Sequence, residues 1–130
     1  MKLRIYGNSV RLRLTQSEVR SVQLGQAVEG RTNLFPDALV YRIESRRHCE
    51  TTSASFVRGK LCVTMPRVVA EEWAGSDTVG IDAQLPASSG QPLRLLVEKD
   101  FHCLHGSAEA QEDYFPNPAD PISKEPAGIR

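Results

Sequence analysis

The sequence predicts an α+β fold whose strands are mainly antiparallel. Two pairs of short strand-like segments are each joined by a two-residue turn, at Gly7-Asn8 and at Arg58-Gly59. Apolar residues alternate with polar ones around both turns, which is typical of a hairpin with one buried face. A short helix-like segment follows each hairpin. We therefore expect a largely antiparallel sheet of about eight strands, with two short helices packed on one side.

The first hairpin spans Lys2–Leu14, and its alternation predicts the pairing of its strands. A two-residue loop places Ile5 opposite Val10 and Leu3 opposite Leu12, so the apolar residues share one face.

The second hairpin follows the same rule in the segments Ser53–Val57 and Lys60–Met65. Here Phe56 is expected to pair with Leu61, and Ala54 with Val63, again with the apolar side chains on one face.

The first helix is predicted over Gln16–Leu24, because the residues before and after it carry start and stop signals. Thr15 and Glu18 have the spacing of a capping box, and Gly25 is a natural residue to follow a helix end. The second helix is expected to begin at Pro66, since the first position of a helix needs no N–H donor.

The remaining strands are predicted at Val28–Phe35, Ala38–Ser45, Thr78–Leu85 and Leu93–Phe101. The order of elements is then β-β-α-β-β, repeated once. Either the structure is internally duplicated or the pattern is a coincidence, because the residues themselves barely repeat. A curled or barrel-like sheet is a variant of this prediction, since closing a sheet removes its exposed edges.

Composition limits the kind of protein this is. The chain has 130 residues, with 16 basic and 16 acidic side chains, so a nucleic acid is not the expected partner. It contains no apolar run long enough for a signal peptide or a membrane span, so no membrane partner is expected. Three cysteines without a disulfide spacing are typical of a reducing compartment, and we predict a cytoplasmic protein.

The last part of the chain differs in character from the rest. Residues 106–130 contain four prolines, few aliphatic residues and an excess of acidic side chains. Such a segment buries too little surface to offset its ordering entropy. We therefore predict a single domain over residues 1–105 and an acidic, proline-rich tail over residues 106–130. Docking of Glu109, Glu112 and Asp113 over the basic hairpin is one hypothesis for the tail.

The first hairpin concentrates positive charge on its polar face, which carries Lys2, Arg4, Arg11 and Arg13. The predicted register places Arg4 opposite Arg11 and Lys2 opposite Arg13, and like charges across a strand pair are destabilising. This surface is either simply solvated or relieved by an anion. We predict that these four residues form the site for an anionic ligand or a protein partner.

Histidine and cysteine fall together twice, at His48-Cys49 and in the run that holds His102, Cys103 and His105. Neither cluster has zinc-site spacing, so no metal and no cofactor are predicted. Cys103 is more simply a half-buried structural cysteine. As a reactive thiol beside His102, it would instead indicate a small enzyme, or a metal-binding protein, centred on His102, Cys103 and His105.

The segment before these residues adds a further alternative. Glu98, Asp100 and His102 share a strand face, so a carboxylate could orient the imidazole for acid–base chemistry. The same alternation also occurs at an exposed strand end without any function.

Four stretches of the chain resemble a family of small uncharacterised bacterial proteins. They are KLRIYGNSVRLRLTQSEV at 2–19, EWAGSDTVGI at 72–81, LRLLVEKDFHCL at 93–104 and YFPNP at 114–118. The resemblance implies a bacterial, soluble, single-domain protein, and it brings no catalytic residues with it. A non-catalytic binding protein that uses the basic hairpin is therefore the favoured function.

Overall fold

A computed structural model describes residues 1–87, 90–101, 113 and 115. It contains eight strands and two helices, each named here in chain order. The elements are β1 (Lys2–Tyr6), β2 (Ser9–Leu14), α1 (Gln16–Gln23), β3 (Val28–Asn33), β4 (Ala38–Arg46), β5 (Ser53–Val57), β6 (Lys60–Pro66), α2 (Arg67–Ala74), β7 (Gly80–Leu85) and β8 (Leu93–Lys99). The predicted α+β class and the β-β-α-β-β order, occurring twice, are confirmed.

Both predicted hairpins are present with the predicted register. Ile5 pairs with Val10, and Phe56 pairs with Leu61, so a two-residue turn connects each pair of strands. Arg58 and Gly59 have positive φ angles of 53° and 77°, as a type I′ turn requires at both central residues.

The first turn differs from the second in its backbone. Gly7 has a φ of 56°, whereas Asn8 does not adopt a positive φ. A positive φ at the first central residue alone is typical of a type II′ turn, which also suits the twist of a hairpin.

The eight described strands form two sheets rather than one. Sheet A has the strand order β1-β2-β8-β7, and sheet B has the order β3-β4-β6-β5. Four of the six strand pairings between these elements are antiparallel, which confirms the largely antiparallel prediction. The eight described strands do not close into one barrel, because they divide into two four-stranded sheets whose central pairs, β2 with β8 and β4 with β6, are parallel.

The connectivity of the first half of the chain recurs in the second half. Each sheet combines a hairpin that precedes a helix with the two strands that follow the other helix. The halves therefore exchange strands, and neither sheet could form from one half alone. Such long-range pairing explains why the repeated order of elements did not predict two sheets.

The core lies on the inner faces of both sheets and on one face of each helix. Thirteen buried apolar residues form one cluster, which is continuous between the sheets: Val10, Leu12, Leu14, Val19, Val22, Ile43, Leu61, Val63, Met65, Ala70, Trp73, Leu95 and Val97. The helices pack against each other, and both contact β4 of sheet B. Trp73 is the largest of the fully buried side chains, and its Nε1 donates a hydrogen bond to the Val79 carbonyl at 3.0 Å.

The start of α1 is held as its sequence predicts. Glu18 Oε1 accepts a hydrogen bond from the Thr15 backbone N–H at 2.9 Å, which is the return bond of the capping box. Gly25 follows the helix with a φ of 87°. The start of α2 differs slightly from the prediction, because Pro66 ends β6 and caps the helix instead of forming its first residue.

Asp113 and Phe115 pack against the folded part of the chain. Phe115 donates its backbone N–H to the Asp100 carbonyl at 3.0 Å, and its ring meets that of Phe101 edge to face. The predicted domain boundary near residue 105 lies outside the described residues.

Candidate anion-binding site

The outer face of sheet A carries the basic residues that the sequence singled out. Leu12 and Leu14 of β2 point into the core, so Arg11 and Arg13 point outward. On β1 the same alternation sends Lys2 and Arg4 outward. The register is the predicted one, with Arg4 opposite Arg11 and Lys2 opposite Arg13.

A pocket of about 240 Å³ lies on this face, across β1, β2 and β8. It brings together three guanidinium groups and two hydroxyl-bearing side chains around one aliphatic residue. The lining residues are Arg4, Tyr6, Ser9, Arg11, Arg94 and Leu96. Two of the four basic residues predicted for an anion site, Arg4 and Arg11, therefore meet in one concavity, which we call the arginine pocket.

Arg94 is the residue of this pocket that sequence reasoning missed. It reaches the site because β8 pairs in parallel with β2, which sets Arg94 beside Ser9. Asn8 holds this junction, since its side-chain Nδ2 donates to the Pro92 carbonyl at 2.7 Å and its own carbonyl accepts from the Arg94 N–H at 3.1 Å. Strand alternation was the sequence feature that could have identified Arg94, because it places Arg94 on the same face of β8 as Glu98.

Carboxylates of β8 partly neutralise the basic hairpin. Arg11 Nε lies 3.5 Å from Glu98 Oε1, and Arg13 Nε lies 3.7 Å from the same oxygen. Lys2 Nζ lies 3.2 Å from Oδ2 of the buried Asp100. Glu98 and Asp100 thus contact basic side chains, and His102, the imidazole of the predicted acid–base arrangement, lies outside the described residues.

Arg94 has a carboxylate partner on the neighbouring strand β7. Its guanidinium contacts Asp82 through two hydrogen bonds, of 2.9 and 3.4 Å. The hydrogen bond from Arg94 lowers the pKa of the Asp82 carboxyl, and the carboxylate in turn raises the pKa of Arg94. Both side chains are about half exposed, so the pair is worth little to stability.

Arg4 differs from its neighbours. Within the part of the chain that the structure describes, no carboxylate lies within ion-pair distance of its guanidinium, and the side chain is exposed. Among the described residues, five cationic side chains and three carboxylates lie together on this surface. The arginine pocket is therefore a concavity rich in guanidinium groups, in which Arg4 has no carboxylate of the described residues within ion-pair distance.

The hypothesis that Asp113 covers the basic hairpin is wrong. Its carboxylate accepts hydrogen bonds from the Ser17 backbone N–H at 3.0 Å and from the Ser17 hydroxyl at 2.7 Å. Its carbonyl accepts from the Gln16 N–H at 2.7 Å. Asp113 therefore caps α1, because free N–H groups at a helix start attract a carboxylate. Glu109 and Glu112 lie outside the described residues.

The histidine and cysteine candidates are not tested by this structure. His102, Cys103 and His105 lie outside the described residues. Cys49 and Cys62 are half-buried free thiols. Within the described ranges, no group of three or more His, Cys, Asp or Glu side chains is arranged to hold a metal ion.

Comparison with known proteins places the chain in a family. Neither the curated proteins nor the solved structures include a match. No helix among the described residues is long and apolar enough to cross a membrane. A family model, however, matches residues 1–119, a range that includes the arginine pocket, Asp113 and Phe115. The chain therefore belongs to DUF7009, a family of unknown function.

Proposed function

We propose that this chain is a small binding protein, without catalytic activity of its own, whose arginine pocket takes a phosphate-bearing ligand. The observation that carries the proposal is the convergence of Arg4, Arg11 and Arg94 on one concavity of about 240 Å³. Lys2 and Arg13 lie on the same sheet face and extend the positive surface beyond the pocket.

The chemistry of the lining favours phosphate over other anions. A guanidinium offers planar paired donors that match two phosphate oxygens, and three of them surround a group with several charged oxygens. Tyr6 adds a hydroxyl beside them.

The size of the pocket favours a small ligand. It falls below the roughly 300–1,000 Å³ of pockets that enclose a drug-sized molecule, so one or two phosphate groups are the expected bound part. A nucleic acid remains the less favoured partner, because base stacking needs a row of aromatic side chains and Tyr6 is the single aromatic residue of the lining.

Titration calorimetry with inorganic pyrophosphate at low ionic strength tests the proposal. The wild-type chain should bind one equivalent, and Arg4→Gln should weaken binding about 10- to 100-fold, since a hydrogen bond to a charged group is worth about 1.5–3 kcal/mol. Arg4 is exposed and has no ion pair within the described residues, so this variant should fold normally. Binding should weaken as salt is added.

Arg31→Gln is the matched control. Arg31 is an exposed arginine on β3 of sheet B, where its Nε donates to the Asn33 side chain. This variant should bind pyrophosphate as the wild type does. Absence of binding to the wild type at millimolar pyrophosphate, or equal losses in the two variants, would overturn the proposal.

Three broader expectations belong with this function. We propose a bacterial source. We also propose a cytoplasmic location, which the odd number of cysteines supports. We also propose that residues 1–105 fold as one unit and that most of residues 106–130 form a tail. Asp113 and Phe115 are the described points at which that tail contacts the folded unit.

A further inference from the structure

A second cavity, of about 620 Å³, lies near the end of β8 and is separate from the arginine pocket. Its walls are mostly apolar and include two aromatic rings. Ala74, Val79, Phe101 and Phe115 form these walls, and Ser76, Asp77 and Lys99 supply the polar groups. A concavity with apolar walls and few polar groups is the usual form of a small-molecule site.

Lys99 is the unusual residue of this cavity. It is 7% exposed, although lysine is almost never buried without a paired charge. Its Nζ donates one hydrogen bond, of 2.7 Å, to the Ser76 carbonyl and lies 5.3 Å from the centre of the Phe115 ring. Burial lowers the pKa of Lys99, and the charge of Asp77 offsets only part of this effect.

The other half of the chain shows that the fold does not require an amine at this position. Lys99 follows Val97 on β8 as Ser45 follows Ile43 on β4, and both pairs lie beside the hairpin strand of their sheet. The Ser45 hydroxyl donates to the Val22 carbonyl at 2.6 Å, which ties β4 to α1. At this position a neutral hydroxyl thus ties its strand to a helix, whereas Lys99 donates to a carbonyl just beyond the end of α2.

The space next to Ser45 is also filled differently. Arg67 Nε donates to the Ser45 hydroxyl at 2.8 Å. The Arg67 guanidinium also lies against Gly25, so closely that a Cβ at this glycine would be 2.3 Å from one of its nitrogens. Beside Lys99, by contrast, the space is an open cavity. At these two equivalent positions, the described residues thus place an amine beside a cavity in one half, and a hydroxyl beside a guanidinium in the other.

We propose that Lys99 is a reactive amine that forms an imine with an aldehyde or ketone whose apolar part occupies this cavity. The neutral Nζ attacks the carbonyl carbon and forms a carbinolamine. Loss of one water then gives the C=N bond, and the carbonyl oxygen leaves in that water. Asp77 lines the same cavity, and its carboxylate is the group that we assign to accept and return the proton that moves in these steps.

A lowered pKa supports this chemistry, because only the unprotonated amine is a nucleophile. The apolar walls would hold an aromatic or aliphatic carbonyl compound and keep bulk water from the imine. The proposal is independent of phosphate binding, since Lys99 points to the inner side of β8 and Arg94 to the outer side.

Reductive trapping on the wild-type chain tests the proposal. Benzaldehyde is added at pH 7 with cyanoborohydride, which reduces an imine to a stable secondary amine, and the modified lysines are mapped by peptide mass spectrometry. The chain has only four lysines, so each site is resolved separately. We expect Lys99 to be modified at least tenfold faster than the exposed Lys60.

Two variants separate reactivity from structure. Lys99→Arg keeps a cation for the Ser76 carbonyl but has no primary amine, so it should remain folded and lose the fast modification. The Lys60→Arg variant should retain the fast modification of Lys99. If Lys99 in the folded wild type reacts no faster than Lys60, the lysine is a purely structural tie and the proposal fails, whether or not the variants fold.

Discussion

Sheets A and B share a connectivity but differ in what their outer faces carry. Aligning the two hairpin turns places Arg4 at the position of Ser55, and Arg11 at that of Cys62. On sheet B, Arg42 of β4 lies between two carboxylates, 3.0 Å from Glu44 and 3.6 Å from Glu29, and these two carboxylates also contact Arg46 and Lys60. Among the described residues, both outer faces therefore carry more cations than carboxylates. They differ in that sheet A gathers three guanidinium groups around one pocket.

The comparison shows that the fold determines which strand positions face outward, and that the residues at those positions determine whether a site forms. The same outward positions exist on both sheets, because strand alternation and a two-residue turn generate them. At the two positions where sheet A has Arg4 and Arg11, sheet B has Ser55 and Cys62. Substitutions in the two halves test this division of roles.

The largest difference in the free energy of unfolding is expected between alanine variants at two equivalent buried positions, Trp73 of α2 and Val22 of α1. Trp73→Ala should lower the free energy of unfolding by about 3–5 kcal/mol, because it removes a buried ring and the hydrogen bond to Val79. Val22→Ala should cost about 2 kcal/mol, since it removes two carbon atoms. Urea unfolding measures both, and equal costs would show that the helices contribute equally to the core.

A second difference concerns the small residues Gly30 and Ala83. A Cβ at Gly30 would lie 2.4 Å from the Tyr41 ring, so Gly30→Ala should cost about 1–3 kcal/mol by overpacking. Ala83, at the equivalent position of sheet A, opposes Leu95 and should tolerate glycine at a cost of about 1 kcal/mol. Thermal unfolding of the two variants compares these losses of stability. Adding Tyr41→Ala to Gly30→Ala should cancel the overpacking term, and no such rescue would refute the ring contact as its cause.

The ion pairs of Glu44 on sheet B predict a pH dependence. Burial alone would raise the pKa of Glu44, but hydrogen bonds from Arg46 and Arg42 outweigh burial and lower it below its ordinary value of 4.5. Because the pKa is lower in the folded state, this stabilisation is present above about pH 4.5 and is lost as pH falls through the folded value. Glu44→Gln should therefore cost about 1 kcal/mol at pH 7 and less at pH 3, where part of the stabilisation is lost.

Guanidinium unfolding of both chains at these two pH values measures the effect. A cost of Glu44→Gln that is the same at pH 3 and pH 7 would mean that the hydrogen bonds, and not the charge, stabilise this part of sheet B.

The smallest expected effect on stability concerns the capping of the two helices at their first residues. α1 receives the Asp113 carboxylate, whereas α2 begins after Pro66 without a side-chain cap among the described residues. Hydrogen bonds from Ser17 lower the pKa of Asp113, so its contribution is present at neutral pH and disappears as pH falls below about 4. Asp113→Ala should cost about 0.5 kcal/mol, at the low end for caps because the residue is exposed.

The amide signal of Ser17 provides a direct measurement for this last variant. It should differ between Asp113→Ala and the wild type at pH 7, and the difference should shrink as the pH falls below about 4. An unchanged Ser17 signal at neutral pH would show that Asp113 does not cap α1 in solution.

Local features of the fold were predictable from the sequence. Both hairpins, their registers and the start of α1 follow from interactions between residues only a few positions apart. The basic face was predictable for the same reason, since Arg4 and Arg11 belong to one hairpin. The arginine pocket was only half predictable, because Arg94 and the carboxylates of Asp82 and Glu98 come from strands about 70 to 90 residues further along the chain.

The sequence by itself therefore determined the elements, their local pairing and which side chains share a strand face. Only the tertiary structure decided that the halves exchange strands, that β2 lies beside β8, and that Lys99 meets a cavity where Ser45 meets Arg67. The physical reason is the range of the interactions. Turn geometry and alternation act within a few residues, whereas parallel pairing is selected by burial of one shared core, to which every element contributes.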